Sequence, residues 1–321
     1  MARNSIVGDK SLAFAKRVAR CYRFLIDKKK ETIMNHILIT GAKGQLGNCL
    51  RDLAAEYQEK YTFFYTDVEE LDITDAAAIE NFVTSHDIDV IINAAAYTAV
   101  DRAEDDVETA FKLNRDAVRN VAEVARKHHI YVVHISTDYV FSGEACHPYQ
   151  EDTPIAPISV YGKSKAEGET ALFESGCNAT LIRTSWLYSE YGHNFVKTML
   201  KLGSERDLVT VVSDQIGGPT YAGDLAEAVL RAVEANINRE GVQVYHFANE
   251  GCISWYDFAE AIMELSGNKC HVKPIFTGEY PAKAPRPAYS VFNLSKIKQE
   301  LSIEIPYWRK SLELIINRLQ R

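Results

Sequence analysis

The sequence predicts a doubly wound α/β fold with a second, smaller and partly discontinuous unit, on three observations. Short apolar strands alternate with helical runs from His36 to Tyr188, the pattern of parallel strands joined by crossover helices. The first strand runs straight into Gly41-Ala42-Lys43-Gly44-Gln45-Leu46-Gly47, a G-x-x-G-x-x-G loop that opens a helix. That is the strand, loop and helix context a Rossmann-type dinucleotide site requires. Beyond Tyr188 the alternation loosens, and Pro281, Pro285 and Pro287 rule out a helix or central strand between Tyr280 and Ser290.

The 321 residues, 46% hydrophobic and 25% charged, are enough for one large α/β unit and a smaller one. A net charge of −8 argues against a general nucleic-acid binder. The six cysteines are scattered without a CxxC pair, which fits reduced thiols in a cytoplasmic protein and suggests no metal site. No apolar run approaches the ~20 residues of a membrane span. Residues 1–33 differ from the rest, with nine Lys/Arg against three Asp/Glu. They read as an appended segment, with an interfacial basic helix over Ser11 to Ile26 as the other reading. A complete cofactor-binding unit is expected to begin at Met34.

In order, His36 to Thr40 is a strand, and the glycine loop leads into a helix ending near Tyr57. Glycines allow a tight turn and let backbone N–H groups approach a pyrophosphate, with the helix N-terminus adding positive potential. Gly41, Gly44, Gln45, Leu46 and Gly47 are therefore candidate cofactor contacts. The second strand, Tyr61 to Thr66, ends at Asp67, a carboxylate placed for ribose hydroxyls. Asp72 and Ile73 follow as candidate flanks of the adenine. The third strand, Asp89 to Asn93, ends in small residues, with Ala96, Tyr97 and Thr98 beside a passing cofactor. A long helix is expected from about Ala103 to His128. The fourth strand, Ile130 to Ile135, leads to Ser136, Thr137 and Asp138, and the fifth, Ala179 to Arg183, to Trp186.

Between them lies Tyr161-Gly162-Lys163-Ser164-Lys165. Of 17 tyrosines only Tyr161 has a lysine four residues on. On a helix that spacing shares a face, so the Lys165 ammonium is expected near the Tyr161 phenol, lowering its pKa from about 10. The expected division is residues 34–190 with 221–248 for the cofactor, and 191–220 with 249–321 for substrate.

The motifs together resemble the extended short-chain dehydrogenase/reductase superfamily, and within it the dTDP-4-dehydrorhamnose reductases. The matching stretches are Gly44 to Gly47, Asn93 to Asp101 (NAAAYTAVD), Ser136 to Phe141 (STDYVF), Tyr161 to Lys165, Arg183 to Tyr188 (RTSWLY), Asn194 to Leu200 (NFVKTML), Asp214 to Thr220 (DQIGGPT) and Arg286-Pro287. The resemblance implies reduction of the C4 ketone of a dTDP-sugar, dTDP-4-dehydro-L-rhamnose, by a monomer or homodimer. Tyr161 is then the proton donor. Lys165 lowers its pKa and bonds the nicotinamide ribose. Thr137 and Asp138 contact the sugar oxygen or sugar. Trp186 walls the sugar or is a core tryptophan. Arg286 clamps the diphosphate or is a solvated loop arginine. Asn194 touches the diphosphate or caps its helix. Asp67 favours NADH and the resemblance adds NADPH, so use of either is expected. Some relatives carry a Mg²⁺ bridged through a glutamate early in the first helix. That helix is read here as beginning Asn48-Cys49-Leu50, and a thiol is a poor Mg²⁺ ligand, so no metal is carried over. The alternatives are a nucleotide-sugar epimerase or dehydratase of the same superfamily, or a regulatory subunit that keeps the fold. Against dehydration, Thr137-Asp138-Tyr139 has tyrosine where a dehydratase has its glutamate.

Overall fold

The computed structural model describes residues 35–320, so the expectations for residues 1–33 lie outside the described residues. The large sheet is built from β1 (Asn35–Thr40), β2 (Tyr61–Thr66), β3 (Val90–Asn93), β4 (Tyr131–Thr137), β5 (Ala179–Thr184) and β6 (Val242–Phe247). Its order is β6-β5-β4-β3-β1-β2, with every pairing parallel. The chain leaves β1 for β2 on one side and returns to β3 on the other. The crevice where the order reverses is where open α/β sheets bind ligands.

Side chains alternate across each strand, and the two faces fill two separate cores. Ile37, Ile39, Val90, Ile92, Val133 and Ile182 pack on one face. There they meet α1 (Gln45–Leu53) and the helix Ala222–Asn236 through Leu46, Leu50, Leu225 and Val229. Leu38, Ile91, Val132 and Leu181 point the other way, onto α2 (Ala76–Ser85) and α3 (Ala117–His128) through Ile79, Val118 and Val121. Each such fully buried aliphatic side chain contributes roughly 1.5–3 kcal/mol. A third core joins the later segments, with Val196, Met199, Val209, Phe258, Ile262, Val272, Leu312 and Ile315 around Trp308.

Three boundaries differ from the sequence reading. The helix expected over Ala103–His128 is broken into Val100–Ala103, Val107–Phe111, a wide π turn at Lys112–Asp116, and α3. The π turn aims the buried Asn114 inward, where it serves the backbone of Tyr97, and such bulges mark functional sites. α1 begins at Gln45, not Asn48, so Gly47 lies in its first turn. Ile297, Leu301 and Ile305 pack into the first core, so this stretch returns to the large sheet instead of staying with the rest of 249–321. No described helix is long and apolar enough to cross a membrane.

Candidate active site

The carboxyl ends of β1, β2 and β3 are level, while β4 and β5 run on past Asn93, which pairs with His134. Thr40 pairs in register with Thr66 and Asn93, and Thr137 with Thr184. Gly41 turns the chain there with φ +66°, and a Cβ on it would stand 2.7 Å from the Ala95 backbone. Only glycine lets the loop pass this close to the β3 end. Gly44 precedes α1 without a side-chain cap, which leaves N–H groups of the first turn for an anion. Asp67 lies at the tip of β2. Its Oδ2 accepts from the Lys43 N–H (3.1 Å) and its Oδ1 from Val68 N–H (2.9 Å), so the carboxylate is held against the glycine loop. The residues present fit a dinucleotide.

Several neighbours are otherwise employed. The Gln45 amide oxygen accepts from Ser189 (3.1 Å) and Asn194 (3.0 Å), so the oxygen of its side chain is engaged with the later segment. Asp72 accepts the Thr74 N–H on Oδ1 (2.8 Å) and is exposed, while the Ile73 side chain is packed in the second core. Ala96 is half-buried and Thr98 exposed, and Tyr97 is held through both backbone groups by Asn114.

Tyr161 enters in the first turn of α4 (Val160–Ser175), whose start is capped by Ser159 accepting from the Gly162 N–H. The helix sits hard against the π turn. A Cβ on Gly168 would lie 2.0 Å from the Asn114 carbonyl, and Asn114 donates to Ser164 (3.0 Å). Packing so close buries Tyr161 and Lys165 on the sheet-facing side. The Tyr161 ring meets Tyr139 edge to face at 5.3 Å, and Thr137 acts on its phenol. Burial pushes the phenol up to about 12, with Thr137 opposing and the nearby Asp138 adding to the rise. This corrects the expectation that Lys165 depresses it. The Lys165 ammonium reaches past Tyr161 into the sheet and donates to the Ile135 carbonyl (2.7 Å). Burial brings Lys165 itself down to about 8, against the pull of Glu169. Asp138 is buried and accepts from Thr137 (3.0 Å), and burial raises it to about 6, with Ser290 and Thr137 opposing the rise.

Trp186 leaves β5 with φ +47°, a conformation bulky residues rarely adopt. It stacks on Trp255 at 3.7 Å, half-buried, so packing occupies one face and a ligand would meet what remains. For Asn194 the capping alternative holds. Its Oδ1 accepts from Lys197 N–H (3.1 Å) and its amide donates to Ser189 O (2.8 Å) and Gln45. No donor remains for a diphosphate, which corrects its place among the substrate contacts. Arg286 is not a solvated loop arginine either, since it pairs with Asp101 and is largely covered.

The sequence reading missed a charged pair beneath the site. Glu169, eight residues after Tyr161 and so on the same helix face, accepts from Arg183 Nη2 (2.8 Å) and Ser136 Oγ (2.5 Å), all buried. Arg183 also reaches His246 Nε2 (3.3 Å). Only the i, i+4, i+8 spacing in α4 signalled Glu169. His246 is driven down to about 3, first by burial and then by Arg183. An unfolded histidine titrates near 6.5, so below that pH the unfolded chain takes up a proton the folded one refuses. Stability present above pH ~6.5 is therefore lost as pH falls towards 3. Between pH 6 and 4 the wild type should lose about 1.4 kcal/mol more per pH unit than His246→Asn, measured by urea unfolding. Parallel slopes would refute this.

A parallel sheet whose switch point lies between a glycine loop and a helix carrying Tyr161 and Lys165 places the protein among the extended short-chain dehydrogenases/reductases. A protein-family model described as the RmlD substrate binding domain matches residues 34–321. A dTDP-4-dehydrorhamnose reductase of Aggregatibacter actinomycetemcomitans is 45% identical over 290 residues, covering 88% of this chain and 98% of its own. The spore coat polysaccharide biosynthesis protein SpsK of Bacillus subtilis is 40% identical over 280 residues, covering 87% and 96%. A crystal structure of dTDP-4-dehydrorhamnose reductase from Bacillus anthracis in complex with NADP is similar at a TM-score of 0.84 and 38% identity, covering 89% of this chain and 100% of that one. The chain belongs to the dTDP-4-dehydrorhamnose reductase family.

Proposed function

We propose that the protein reduces the C4 ketone of dTDP-4-dehydro-L-rhamnose to give dTDP-L-rhamnose, with Tyr161 as proton donor. The observation that carries the reading is a buried phenol packed against Tyr139 and against Tyr97 and Val100, on the segment that follows the end of β3, with Lys165 buried on the same helix face. Bound NAD(P)H supplies the hydride to the carbonyl carbon. As the C=O π bond opens, its electron pair goes to oxygen, and Tyr161 transfers its proton there. With its phenol up near 12, Tyr161 is protonated throughout the neutral range. It can still give the proton up, because an alkoxide is more basic than a phenolate. Thr137 is to donate a second hydrogen bond to the same oxygen. Its single hydrogen goes to Asp138, so donation to the sugar oxygen requires Asp138 to release it. Lys165 spends one of three hydrogens on Ile135 and keeps two for the nicotinamide ribose. Gly41, Gly44 and the first turn of α1 receive the pyrophosphate, Asp67 a ribose hydroxyl, Trp186 the sugar, and Arg286 the diphosphate.

The reading is supported by the names of the relatives, among them dTDP-4-dehydrorhamnose reductases of Aggregatibacter actinomycetemcomitans and Escherichia coli, the latter 36% identical. Dehydration is disfavoured because Tyr139, a half-buried phenol, provides no second carboxylate. We take the protein to work in the cytoplasm as a monomer or homodimer, without nucleic acid.

The test is a panel of nucleotide ketosugars with NADPH or NADH, followed at the nicotinamide absorbance. One cofactor should be oxidised per dTDP-4-dehydro-L-rhamnose. A 4-keto-6-deoxy product from dTDP-glucose, or epimer exchange without cofactor consumption, would overturn the assignment. Both cofactors should support turnover. Asp67→Asn should shift the preference towards NADPH, since the carboxylate repels a 2′-phosphate. Strict use of one cofactor, with no binding of the other, would count against this role for Asp67.

A further inference from the structure

Asp101 lies in the short helix Val100–Ala103, just past the loop that ends β3, and reaches across to the proline-rich segment. Its Oδ1 accepts from the backbone N–H groups of Lys283 (3.2 Å) and Ala284 (3.0 Å) and from Arg286 Nη1 (3.1 Å). Its Oδ2 accepts from Arg286 Nη2 (2.6 Å). The Arg286 side chain is only 19% exposed.

A guanidinium has five hydrogens. Nη1 gives one to Asp101 and one to the Ala284 carbonyl (3.0 Å), and Nη2 gives one to Asp101. The Nε hydrogen and the second Nη2 hydrogen have no bond to any described residue. They form the side edge of the fork, the pair that grips a phosphate through two parallel bonds. Val100, the chain neighbour of Asp101, packs in one cluster with Tyr139 and Tyr161, and the Tyr139 and Tyr161 rings are in contact. The Asp101–Arg286 pair therefore stands close to the Tyr161 cluster.

We propose that Asp101 is a positioning residue for nucleotide-sugar recognition, gripping the end of the Arg286 guanidinium and the backbone of residues 283–284 so that the free Nε/Nη2 edge is presented to the substrate diphosphate. The inference rests on the reading of the substrate as a dTDP-sugar. A carboxylate is needed because both oxygens face donors. An asparagine there would turn its NH₂ on Nη2 or on the two backbone N–H groups.

The experiment compares wild type, Asp101→Asn, Arg286→Ala and the double variant, reading KM and kcat for the ketosugar, dTDP affinity by calorimetry, and NAD(P)H affinity. Asp101→Asn and Arg286→Ala should each raise KM and weaken dTDP about 10-fold. NAD(P)H affinity should hold and kcat should change much less than KM. The double variant should bind dTDP no more weakly than Arg286→Ala, as for a residue acting through another. Wild-type dTDP affinity in Asp101→Asn, or an effect that adds in full to that of Arg286→Ala, would overturn the positioning role and leave the diphosphate reading standing. Loss of NAD(P)H affinity in Asp101→Asn would mark a structural defect and overturn it equally. Normal dTDP binding by Arg286→Ala would instead overturn the diphosphate reading itself.

Discussion

Tyr161→Phe is expected to lower turnover by at least ~10²-fold while leaving NAD(P)H affinity and the melting temperature nearly unchanged. The ring stays, with its edge-to-face contact on Tyr139, and helix α4 is still capped by Ser159. What goes is one hydroxyl. Without that proton the oxygen gains negative charge in a buried cleft where no other acid is placed to meet it. Asp138 is directed at Thr137 and Ser290, and Lys165 at the Ile135 carbonyl. The loss should therefore appear in kcat and equally in kcat/KM, as for an interaction made in the transition state. Single-turnover oxidation of NAD(P)H at saturating ketosugar is the measurement. Near-normal turnover would remove Tyr161 from the mechanism.

Arg183→Met carries the largest expected effect on stability. The Arg183–Glu169 pair is almost wholly inside the protein, with side chains 5% and 2% exposed. Removing one partner leaves a buried charge with one hydrogen bond, from Ser136, and the Lys165 ammonium nearby, and breaking such a pair costs about 3–5 kcal/mol. The Glu151 carbonyl and His246 also lose their bonds to the guanidinium. Replacing both members by neutral residues of similar size removes the stranded charge, so Arg183→Met with Glu169→Gln should recover much of the loss. Urea unfolding of the single and double variants decides it. A double variant as unstable as Arg183→Met would show that the packing of Arg183 on Phe141 and His246 matters more than its charge.

The sequence by itself determined the strand, glycine loop and helix at the start of the cofactor unit, the parallel alternation, and the helix bearing Tyr161 and Lys165. Each is local. Period-two apolar runs, glycines at a turn and an i, i+4 pair are decided by neighbours within a few residues. The same local reading failed where the partner is remote. Asn194 and Gln45, 149 residues apart, consume each other's amides. Arg286 answers to Asp101, 185 residues away. The helix expected over Ala103–His128 breaks because Asn114 must reach Tyr97 and Ser164, a demand its own segment does not display. Lys165 does share a face with Tyr161, but the length of its side chain and the nearness of β4 carry its ammonium to the Ile135 carbonyl. Burial, which no spacing reveals, then sets both pKa values, raising the phenol and lowering the ammonium. Which residues can meet was written in the helix period. Which of their polar atoms remain free for a ligand was decided only when distant segments closed over them and took the rest.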